Sequence, residues 1–422
     1  MSDARSVALE ALLRVEADGA WADRALASAA ARAGLDARDR ALAARLTADA
    51  VKGRRLLDAA VSALADRDPA KLDPESRAIV RLGACQLVLL DRVPAHAAVS
   101  TAVDLARARR GAGAAGLVNA LLRRVAEHGR AWVDALPDRT PAEAALRRSY
   151  PDWIAEAWWA AYGPEAARAL LDAGNAPPEL ALRINRLRMG AEERVEAELT
   201  GLGAALGRDP DAPDARVVEG AVDLAATRAF ADGDLVPMSR SAPRIAPFLG
   251  VEPGMRVLDA CAAPGGKAGH LVALLGGGAG LDCVERDPGR ARQLAEALAR
   301  QGVEGHDLLA IDVFQLPVER TGYDRILIDA PCTGLGTVGS RPDLRWRREP
   351  ADVERLAALQ RGMVDFLRPR LAPDGALVLS LCTLGTAEAQ AADEHPVEAR
   401  LELRPDAGAG EGFVAVRVSA AP

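Results

Sequence analysis

The first 150 residues repeat apolar side chains at the spacing of amphipathic helices. Apolar positions three or four residues apart, such as Leu117, Leu121 and Val125, recur between short breaks. No alternation of apolar and polar residues, which would indicate strands, interrupts them. The pattern predicts an all-α domain over residues 1–149.

The pattern changes in residues 150–240. A connecting helix is predicted to begin near Trp153 and to end at the Gly174–Pro178 hinge. Leu182–Arg188 then alternates like a strand, and an amphipathic helix is predicted from about 191 to 202, ahead of a proline-rich turn. These elements predict a small α+β subdomain that links the helical front to the rest of the chain.

From residue 241 onward, short apolar runs alternate with helical patterns. The strand candidates are residues 256–260, 280–285, 307–311, 323–329, 375–381 and 412–418. Such alternation is typical of a doubly wound parallel sheet with helices on both faces. The chain is therefore predicted to end in an α/β Rossmann-like domain over residues 241–422.

Length and charge add two constraints. A chain of 422 residues exceeds what one hydrophobic core usually supports, which agrees with several domains. The net charge of −7 argues against a protein whose whole surface is basic and binds nucleic acid. Residues 1–150, however, carry 24 basic and 19 acidic side chains. This basic front is suited to RNA, although arginines at helix ends are equally typical of a solvated surface.

The five cysteines form no C-x-x-C pair and no cluster with histidine, so the sequence predicts neither a zinc site nor a disulfide framework. Their thiols are expected to be reduced in the cytoplasm. Charges interrupt the N-terminus, and no apolar run approaches the length of a membrane span. Neither a signal peptide nor a membrane anchor is therefore expected.

The stretch Arg256–Lys267 has the composition of a ligand-binding loop between a strand and a helix. Its glycines lack the G-x-G-x-x-G spacing and no Walker sequence is present, which disfavours a nicotinamide or nucleoside triphosphate site. Lys267 is one of only three lysines in a chain that otherwise uses arginine. A compact ammonium is therefore predicted to be needed there, although a solvated charge at a helix start is the alternative.

Acidic residues and thiols follow the ends of several predicted strands. They are Asp259, Glu285, Asp312, Asp329, Cys332 and Cys382. Ligands bind beyond the carboxyl ends of strands in open parallel sheets, so these side chains are expected to converge. Glu285 is suited to ribose hydroxyls and Asp312 to an adenine edge. A single cysteine is usually a small buried residue, but two at matching strand ends predict reactive thiols.

Three blocks resemble the signatures of S-adenosylmethionine-dependent RNA cytosine-C5 methyltransferases: Asp259–Lys267, Asp329–Cys332 and Leu381–Thr383. The helical front resembles the NusB-like RNA-binding domain, notably in Arg77–Leu87 and Gly116–Arg124. Together they are similar to the RsmB (Sun/Fmu) family, which methylates small-subunit ribosomal RNA. The resemblance covers essentially the whole chain.

The resemblance implies methylation of carbon 5 of a cytosine in 16S rRNA through a covalent cysteine–carbon 6 adduct. It makes Cys382 the nucleophile and Cys332 the residue that assists release, an order that spacing alone leaves open. Asp329 would meet the base or the methyl donor, and Lys267 would favour a thiolate. The residues predicted to bind S-adenosyl-L-methionine are Cys261, Ala262, Ala263, Pro264, Gly265, Gly266, Lys267, Glu285, Asp312 and Asp329.

RNA contacts are predicted on two arginine-rich stretches. Ser340–Arg348 places four arginines around one tryptophan, which suits phosphates and a stacked base, although a solvated loop with an anchoring tryptophan is equally compatible. The arginines near residue 185 fit the same role or a charged strand edge. The predicted RNA contacts are Arg183, Arg186, Arg341, Arg345 and Trp346. The expected partner is 16S rRNA, free or in a small-subunit assembly intermediate, bound by a monomer.

Two stretches depart from the pattern that this resemblance implies. Pro237-Met238-Ser239 stands where the family often has Gln-Asp, and Glu388-Ala389 stands where it has Glu-Asn. Two alternatives stay open: a transfer-RNA cytosine-C5 methyltransferase, and a noncatalytic RNA-binding or ribosome assembly factor. The cysteines and the ligand-binding loop are intact, which favours an enzyme.

Overall fold

A computed structural model describes residues 3–420 of the protein. The chain divides into two compact units. The helical unit comprises Met1–Ala176 and Val338–Arg347, and the sheet unit comprises Pro177–Thr337 and Arg348–Pro422. Within residues 3–420, no helix has the length and apolar character that crossing a membrane requires.

The helical unit is built around one helix that is buried along most of its length. Its helices are α1 (Ala4–Ala17), α2 (Ala22–Ala33), α3 (Ala37–Lys52), α4 (Arg54–Ala65), α5 (Pro74–Val88), α6 (Ala95–Arg110), α7 (Ala112–Asp134), α8 (Pro141–Arg148) and α9 (Asp152–Asn175). The central helix α5 packs against α1, α3, α4, α6 and α7. Gly83 lets α7 approach closely, because a Cβ there would lie 2.3 Å from Leu122. The all-α prediction is confirmed.

Helix α9 belongs to the helical unit, although the sequence places it in the linking subdomain. It packs along α8, and Tyr150 and Trp158 are buried with their ring centroids 5.9 Å apart. The structural division therefore falls after Ala176. The boundaries predicted at 149/150 and 240/241 stay predictions.

Residues 338–347 belong to the helical unit, although they interrupt the sequence of the sheet unit. Arg345 is fully buried and donates hydrogen bonds to Asn175 Oδ1 at 2.8 Å and to the Gly174 carbonyl at 3.1 Å. Its guanidinium lies 3.8 Å from the centre of the Tyr150 ring. The indole of Trp346 donates to the Val51 carbonyl at 2.7 Å. The segment is thus anchored inside the helical unit.

This burial corrects the prediction that Arg345 contacts RNA, because its guanidinium has no exposed surface to offer a phosphate. Trp346 packs against the hydrophobic core of the helical unit and anchors the segment, as the alternative interpretation of the sequence held. Arg341 is exposed, and its contact with RNA stays a prediction.

Replacing Arg345 by methionine is expected to destabilise the protein by roughly 3 kcal/mol or more, since several buried acceptors would each lose a donor at about 1 kcal/mol or more. Urea unfolding of the full-length protein measures the loss. Arg341→Met, an exposed exchange in the same segment, is the control and should change stability little. Unchanged stability together with weaker RNA binding would contradict the structural role and support a contact between Arg345 and RNA.

The first sheet of the sheet unit is small and antiparallel. Its elements are β1 (Ala181–Ile184), α10 (Ala191–Gly201), β2 (Ala205–Asp209), β3 (Ala212–Glu219), α11 (Arg228–Ala231) and β4 (Leu235–Pro237). The strand order is β2-β3-β1-β4. Leu182, Val195, Leu199 and Leu235 are buried between this sheet and α10. The predicted α+β subdomain is therefore confirmed.

The second sheet has seven strands in the order β10-β11-β9-β8-β5-β6-β7. In chain order the elements are α12 (Ile245–Leu249), β5 (Val257–Asp259), α13 (Gly266–Leu275), β6 (Leu281–Val284), α14 (Pro288–Gln301), β7 (Asp307–Leu309), β8 (Tyr323–Asp329), α15 (Pro350–Leu367), β9 (Leu371–Leu381), β10 (Val397–Leu403) and β11 (Phe413–Ser419). Strands β5 to β9 pair in parallel. The Rossmann-like prediction is confirmed.

The prediction of a wholly parallel sheet is wrong at one edge. Strand β11 pairs antiparallel with both β9 and β10. Parallel neighbours need a crossover of about a dozen or more residues, and the connection from β10 to β11 is too short to provide one. The sheet is therefore mixed, and its parallel part carries the candidate site.

Candidate active site

The candidate site lies where three neighbouring parallel strands end. Asp259 is the last residue of β5 and Asp329 is the last residue of β8. Cys332 follows β8, and Cys382 comes directly after β9. The parallel register brings Asp329 opposite Ser380, two residues before Cys382. The predicted convergence of acids and thiols at one sheet edge is thus present.

The two strand-end cysteines form a pair. Their sulfur atoms lie 3.1 Å apart. The hydrogen bond to Cys382, together with burial, raises the pKa of the Cys332 thiol well above its usual value. Either sulfur can donate in this contact, and the raised pKa of Cys332 favours Cys332 as the donor. A donated S–H favours negative charge on the accepting sulfur, so this geometry suits a Cys382 thiolate.

Lys267 supplies a fixed positive charge beside this pair. Its Nζ atom lies 2.8 Å from Asp329 Oδ2 and 5.2 Å from the centre of the Phe413 ring. Burial opposes the ammonium charge, but the nearby Asp329, with a further contribution from Cys382, raises the pKa of Lys267. The ammonium charge therefore persists at a half-buried position, and the need for a compact ammonium there stays a prediction.

Backbone hydrogen bonds hold the loop between β5 and α13, one of them to strand β6. The Ala262 amide donates to the Val284 carbonyl at 3.0 Å, and the Gly265 amide donates to the Ala262 carbonyl at 2.8 Å. Gly265 has φ +102° and a Cβ there would lie 3.0 Å from Leu294, so this position requires glycine. Helix α13 begins at the next residue, Gly266. The backbone amides of its first turn are thereby turned toward the strand ends.

Arg183 braces this loop from inside the protein. It is fully buried, and its Nη2 donates to Gln301 Oε1 at 2.9 Å. The amide of Gln301 in turn donates to the Gly265 carbonyl at 3.3 Å. The prediction that Arg183 contacts RNA is therefore wrong, because the guanidinium is enclosed. Arg186 is exposed but already pairs with acidic neighbours, including Asp214 at 2.6 Å.

Asp259 is a buried acid without a partner. Its side chain is inaccessible, and neither carboxylate oxygen has a hydrogen-bond partner of normal geometry. Burial, reinforced by the charge of Asp329, raises the pKa of Asp259 to about 7, and Lys267 opposes this rise only in part. An orphaned acceptor at a strand end suits a ligand that brings a hydrogen-bond donor.

Replacing Asp259 by asparagine is expected to stabilise the protein more at pH 8 than at pH 5. Between the ordinary pKa of 3.8 and about 7, the unfolded carboxyl releases its proton while the folded one keeps it. Wild-type stability therefore falls as pH rises through this window, by up to about 4 kcal/mol, and asparagine avoids the loss. Thermal unfolding at both pH values measures the effect. Asp374→Asn, at an exposed position, is the control; an equal gain at both pH values would contradict the assignment.

Two further acids lie where the sequence predicted ligand contacts. Glu285 follows β6, is buried, and accepts a hydrogen bond from the Asp287 amide at 3.0 Å. Arg290 lies 3.3 Å from its other oxygen. Asp312 follows β7 and accepts from the Phe314 amide at 3.1 Å. Both carboxylates are therefore held in fixed orientations at the same edge as Asp259.

Sequence reasoning missed the buried polar residues behind Cys332. They are Thr333, Gln360, Thr383 and Glu388, together with the half-buried Arg348. Thr383 lies inside a signature block and Arg348 inside the arginine-rich stretch, but the sequence gives no signal that these residues pack together behind Cys332. None of the five cysteines forms a disulfide, and residues 3–420 contain no group of three His, Cys, Asp or Glu that could hold a metal ion.

Comparisons with known proteins match all three regions of the chain. A profile described as 16S rRNA methyltransferase RsmB/F matches residues 246–410, a NusB family profile matches residues 2–127, and an RsmF/B-like ferredoxin-like domain matches residues 150–225. The probable ribosomal RNA small subunit methyltransferase B of Synechocystis is 34% identical over 94% of this chain and 89% of its own. The chain belongs to the RsmB/F family of 16S rRNA methyltransferases. It is therefore an S-adenosylmethionine-dependent methyltransferase of small-subunit ribosomal RNA.

Other relatives of this RsmB/F member agree with the assignment. The probable ribosomal RNA small subunit methyltransferase B of Bacillus subtilis is 29% identical over 95% of this chain and 89% of its own. The crystal structure of PH0851 has a TM-score of 0.81 at 21% identity and covers 98% of both chains. NSun6 from Pyrococcus horikoshii, crystallised with SFG, a SAM analogue, has a TM-score of 0.59 at 19% identity and covers 64% of this chain and 98% of its own. Both structures show that the RsmB/F member shares their fold.

The strand-end acids of this RsmB/F member suit S-adenosylmethionine chemically. The cofactor carries a positive sulfonium, an amino group and ribose hydroxyls, all of which favour carboxylate neighbours. Asp259 has unused acceptor oxygens, and Glu285 is fixed at the end of the next strand. Gly265, with φ +102°, lets the loop turn into α13 at this edge of the sheet. The residues present therefore fit the cofactor that the family uses.

Proposed function

We propose that the protein methylates carbon 5 of a cytosine in 16S rRNA through a covalent adduct between Cys382 and carbon 6 of the base. The observation that carries this proposal is the Cys332–Cys382 pair, with sulfur atoms 3.1 Å apart beside the half-buried Lys267. Methylation of a ring nitrogen or a ribose oxygen has no use for two thiols. Methylation of carbon 5 does, because this carbon is a weak nucleophile until a group adds to carbon 6.

Cys382 performs the first half of the reaction. Its sulfur forms a bond to carbon 6, and the ring electrons move onto carbon 5, which can then form a bond to a methyl group. Lys267 and the S–H of Cys332 favour the thiolate that this addition requires. When bound, S-adenosylmethionine supplies the methyl group. We assign its binding to the loop residues Cys261 to Lys267 with Glu285, Asp312 and Asp329.

Cys332 acts in the second half of the reaction. The bond that Cys382 forms in the first half changes the surroundings of the Cys332 thiol. The pKa of Cys332 is raised mainly by its hydrogen bond to Cys382, with a further contribution from the charge of that sulfur. Both effects are lost once Cys382 is a neutral thioether, which lowers the pKa of Cys332, while burial continues to raise it. In the proposed order Cys332 loses its proton at this stage. Its thiolate then accepts the proton from carbon 5 while the bond between carbon 6 and Cys382 breaks. The original thiol and thiolate are restored.

The target cytosine has to be unpaired or flipped out so that a sulfur can approach carbon 6 from above the ring. We propose 16S rRNA, free or in a small-subunit assembly intermediate, as the substrate of a monomeric enzyme in the cytoplasm. Reduced thiols are maintained there. Arg341 and Arg186 remain the exposed candidates for RNA contact among those predicted.

The decisive experiment is methyl transfer to RNA from cells that lack this gene. Purified protein is incubated with labelled S-adenosylmethionine and either free 16S rRNA, small-subunit precursors or transfer RNA. Nucleoside mass spectrometry and bisulfite sequencing should show 5-methylcytosine at one 16S position that is unmodified in the deletion strain. Label in another nucleoside would refute the proposed chemistry. Label in transfer RNA alone would favour the alternative substrate, and no label would favour a noncatalytic assembly factor.

A further inference from the structure

A buried hydrogen-bond chain lies directly behind the two cysteines. Thr333 follows Cys332 in the sequence and Thr383 follows Cys382. Both threonines and Glu388 are fully buried, with no exposed side-chain surface. Burying a carboxylate is costly unless donors satisfy it, so the partners of Glu388 indicate what it holds in place.

Glu388 receives donors from three residues around the Cys332 loop. The Thr333 amide donates to Oε1 at 2.9 Å, and the Thr333 hydroxyl donates to Oε2 at 2.5 Å. The Gln360 amide donates to Oε1 at 3.0 Å, and the Thr386 hydroxyl donates to Oε2 at 3.3 Å. Both oxygens are thus engaged, and two of the four bonds fix the residue next to Cys332.

The last acceptor, Glu388, sets the direction of donation along this chain of hydrogen bonds. The Thr333 hydroxyl donates its one proton to Glu388 Oε2. The Thr383 and Thr333 hydroxyl oxygens lie 2.8 Å apart, and the proton between them therefore comes from Thr383. One directed chain runs from the residue after Cys382, through the residue after Cys332, to Glu388. It ties the two loops that carry the thiols.

Gln360 and Arg348 donate hydrogen bonds to the backbone carbonyls of the Cys332 loop. Gln360 donates to the Pro331 carbonyl at 2.9 Å. Arg348 donates to the Thr333 carbonyl at 3.0 Å and to the Cys332 carbonyl at 3.3 Å. The backbone on both sides of Cys332 is therefore fixed, and the direction of its thiol is set by contacts that do not touch the thiol itself.

We propose that Glu388 is a positioning residue that holds the Cys332 thiol against Cys382 and is therefore required for release of the methylated RNA. The proposal rests on the proposed function, in which Cys332 acts in the second half of the reaction. Glu388 lies behind the loops and its contacts go to Thr333, Thr386 and Gln360. Its effect therefore passes through Cys332.

Glu388→Gln tests the proposal. Glutamine removes the charge, and its NH2 group at Oε2 is satisfied only if the Thr333 and Thr386 hydroxyls turn round to accept, so the direction of the chain is reversed. Attack by Cys382 should persist while release slows, since a misplacement of about 1 Å costs on the order of 10²-fold in rate. The expected signature is an RNA–protein adduct that survives SDS, with kcat lowered about 10²-fold and the KM for S-adenosylmethionine unchanged.

A second pair of variants keeps the test decisive if Glu388→Gln does not fold. Thr333→Val removes the hydroxyl with little change in shape and should also accumulate the adduct. Thr333→Ser keeps the hydroxyl and should restore turnover. Glu354→Gln is the matched control, because the same exchange at an exposed position of α15 should leave turnover and adduct unchanged.

The outcomes separate this inference from the proposed function. Cys332→Ala is included as the reference for blocked release. If it accumulates adduct while Glu388→Gln and Thr333→Val turn over normally, or lose activity without adduct, the positioning role of Glu388 is overturned. If Cys332→Ala itself accumulates no adduct, the proposed role of Cys332 fails first.

Discussion

Cys382→Ala is expected to abolish methyl transfer, with a loss on the order of 10⁴-fold or more in kcat. Without its sulfur no bond to carbon 6 forms, and carbon 5 stays too weak a nucleophile to take a methyl group. In the proposed order Lys267 and Cys332 cannot substitute, because Cys332 acts only after the methyl group has been transferred. Transfer of labelled methyl groups to 16S rRNA measures the loss, and binding of S-adenosylmethionine should be unchanged.

The control for Cys382→Ala is Cys85→Ala, which makes the same exchange at a buried cysteine of the helical unit. It should cost some stability and leave the rate per folded molecule intact. Residual activity of more than a few per cent in Cys382→Ala would exclude Cys382 as the nucleophile. It would also revive the opposite order, in which Cys332 attacks.

Cys332→Ala is expected to trap the enzyme on its RNA. Cys382 can still add to carbon 6. The second sulfur, which lies 3.1 Å from Cys382 in the wild type, is missing and cannot take the carbon 5 proton, so the adduct persists. A protein–RNA band that resists SDS should appear in stoichiometric amount, while turnover falls by about 10³-fold. The contrast with Cys382→Ala is qualitative, because that variant should form no such band.

The band from Cys332→Ala should require both RNA and the nucleophile. The double variant Cys332→Ala/Cys382→Ala serves as the control and should remove it. Multiple turnovers by Cys332→Ala without an adduct would show that release proceeds without this thiol. The second sulfur would then have a purely structural role.

The pattern of the sequence predicted the parallel strands well, because a buried strand is a short apolar run and β5, β6 and β8 each contain one. Strand β10 was missed. It alternates charged and apolar residues, as in Glu398 and Arg400, and most of its side chains are exposed or half-buried. An edge strand has only one face to bury, so its apolar signal is weak.

The candidate site could be predicted as a set of strand ends, but its electrostatics could not. Sequence placed Cys332 and Cys382 in equivalent positions, and only the structure supplies the 3.1 Å contact between the sulfurs, the raised pKa of Cys332 and the cation of Lys267 near Cys382. The errors at Arg183 and Arg345 have one cause. Arginine is usually exposed, and only tertiary packing reveals that these two are enclosed.

The placement of residues 338–347 has a practical consequence for dividing this protein. A fragment that begins at Pro177 would retain Arg345 and Trp346 but lose Tyr150, Asn175 and the Val51 carbonyl that receive them. The guanidinium of Arg345 and the indole of Trp346 would lose their packing and hydrogen-bond partners, and the fragment would tend to aggregate. Recombinant truncations and limited proteolysis therefore cannot be expected to yield two independent pieces from a single cut.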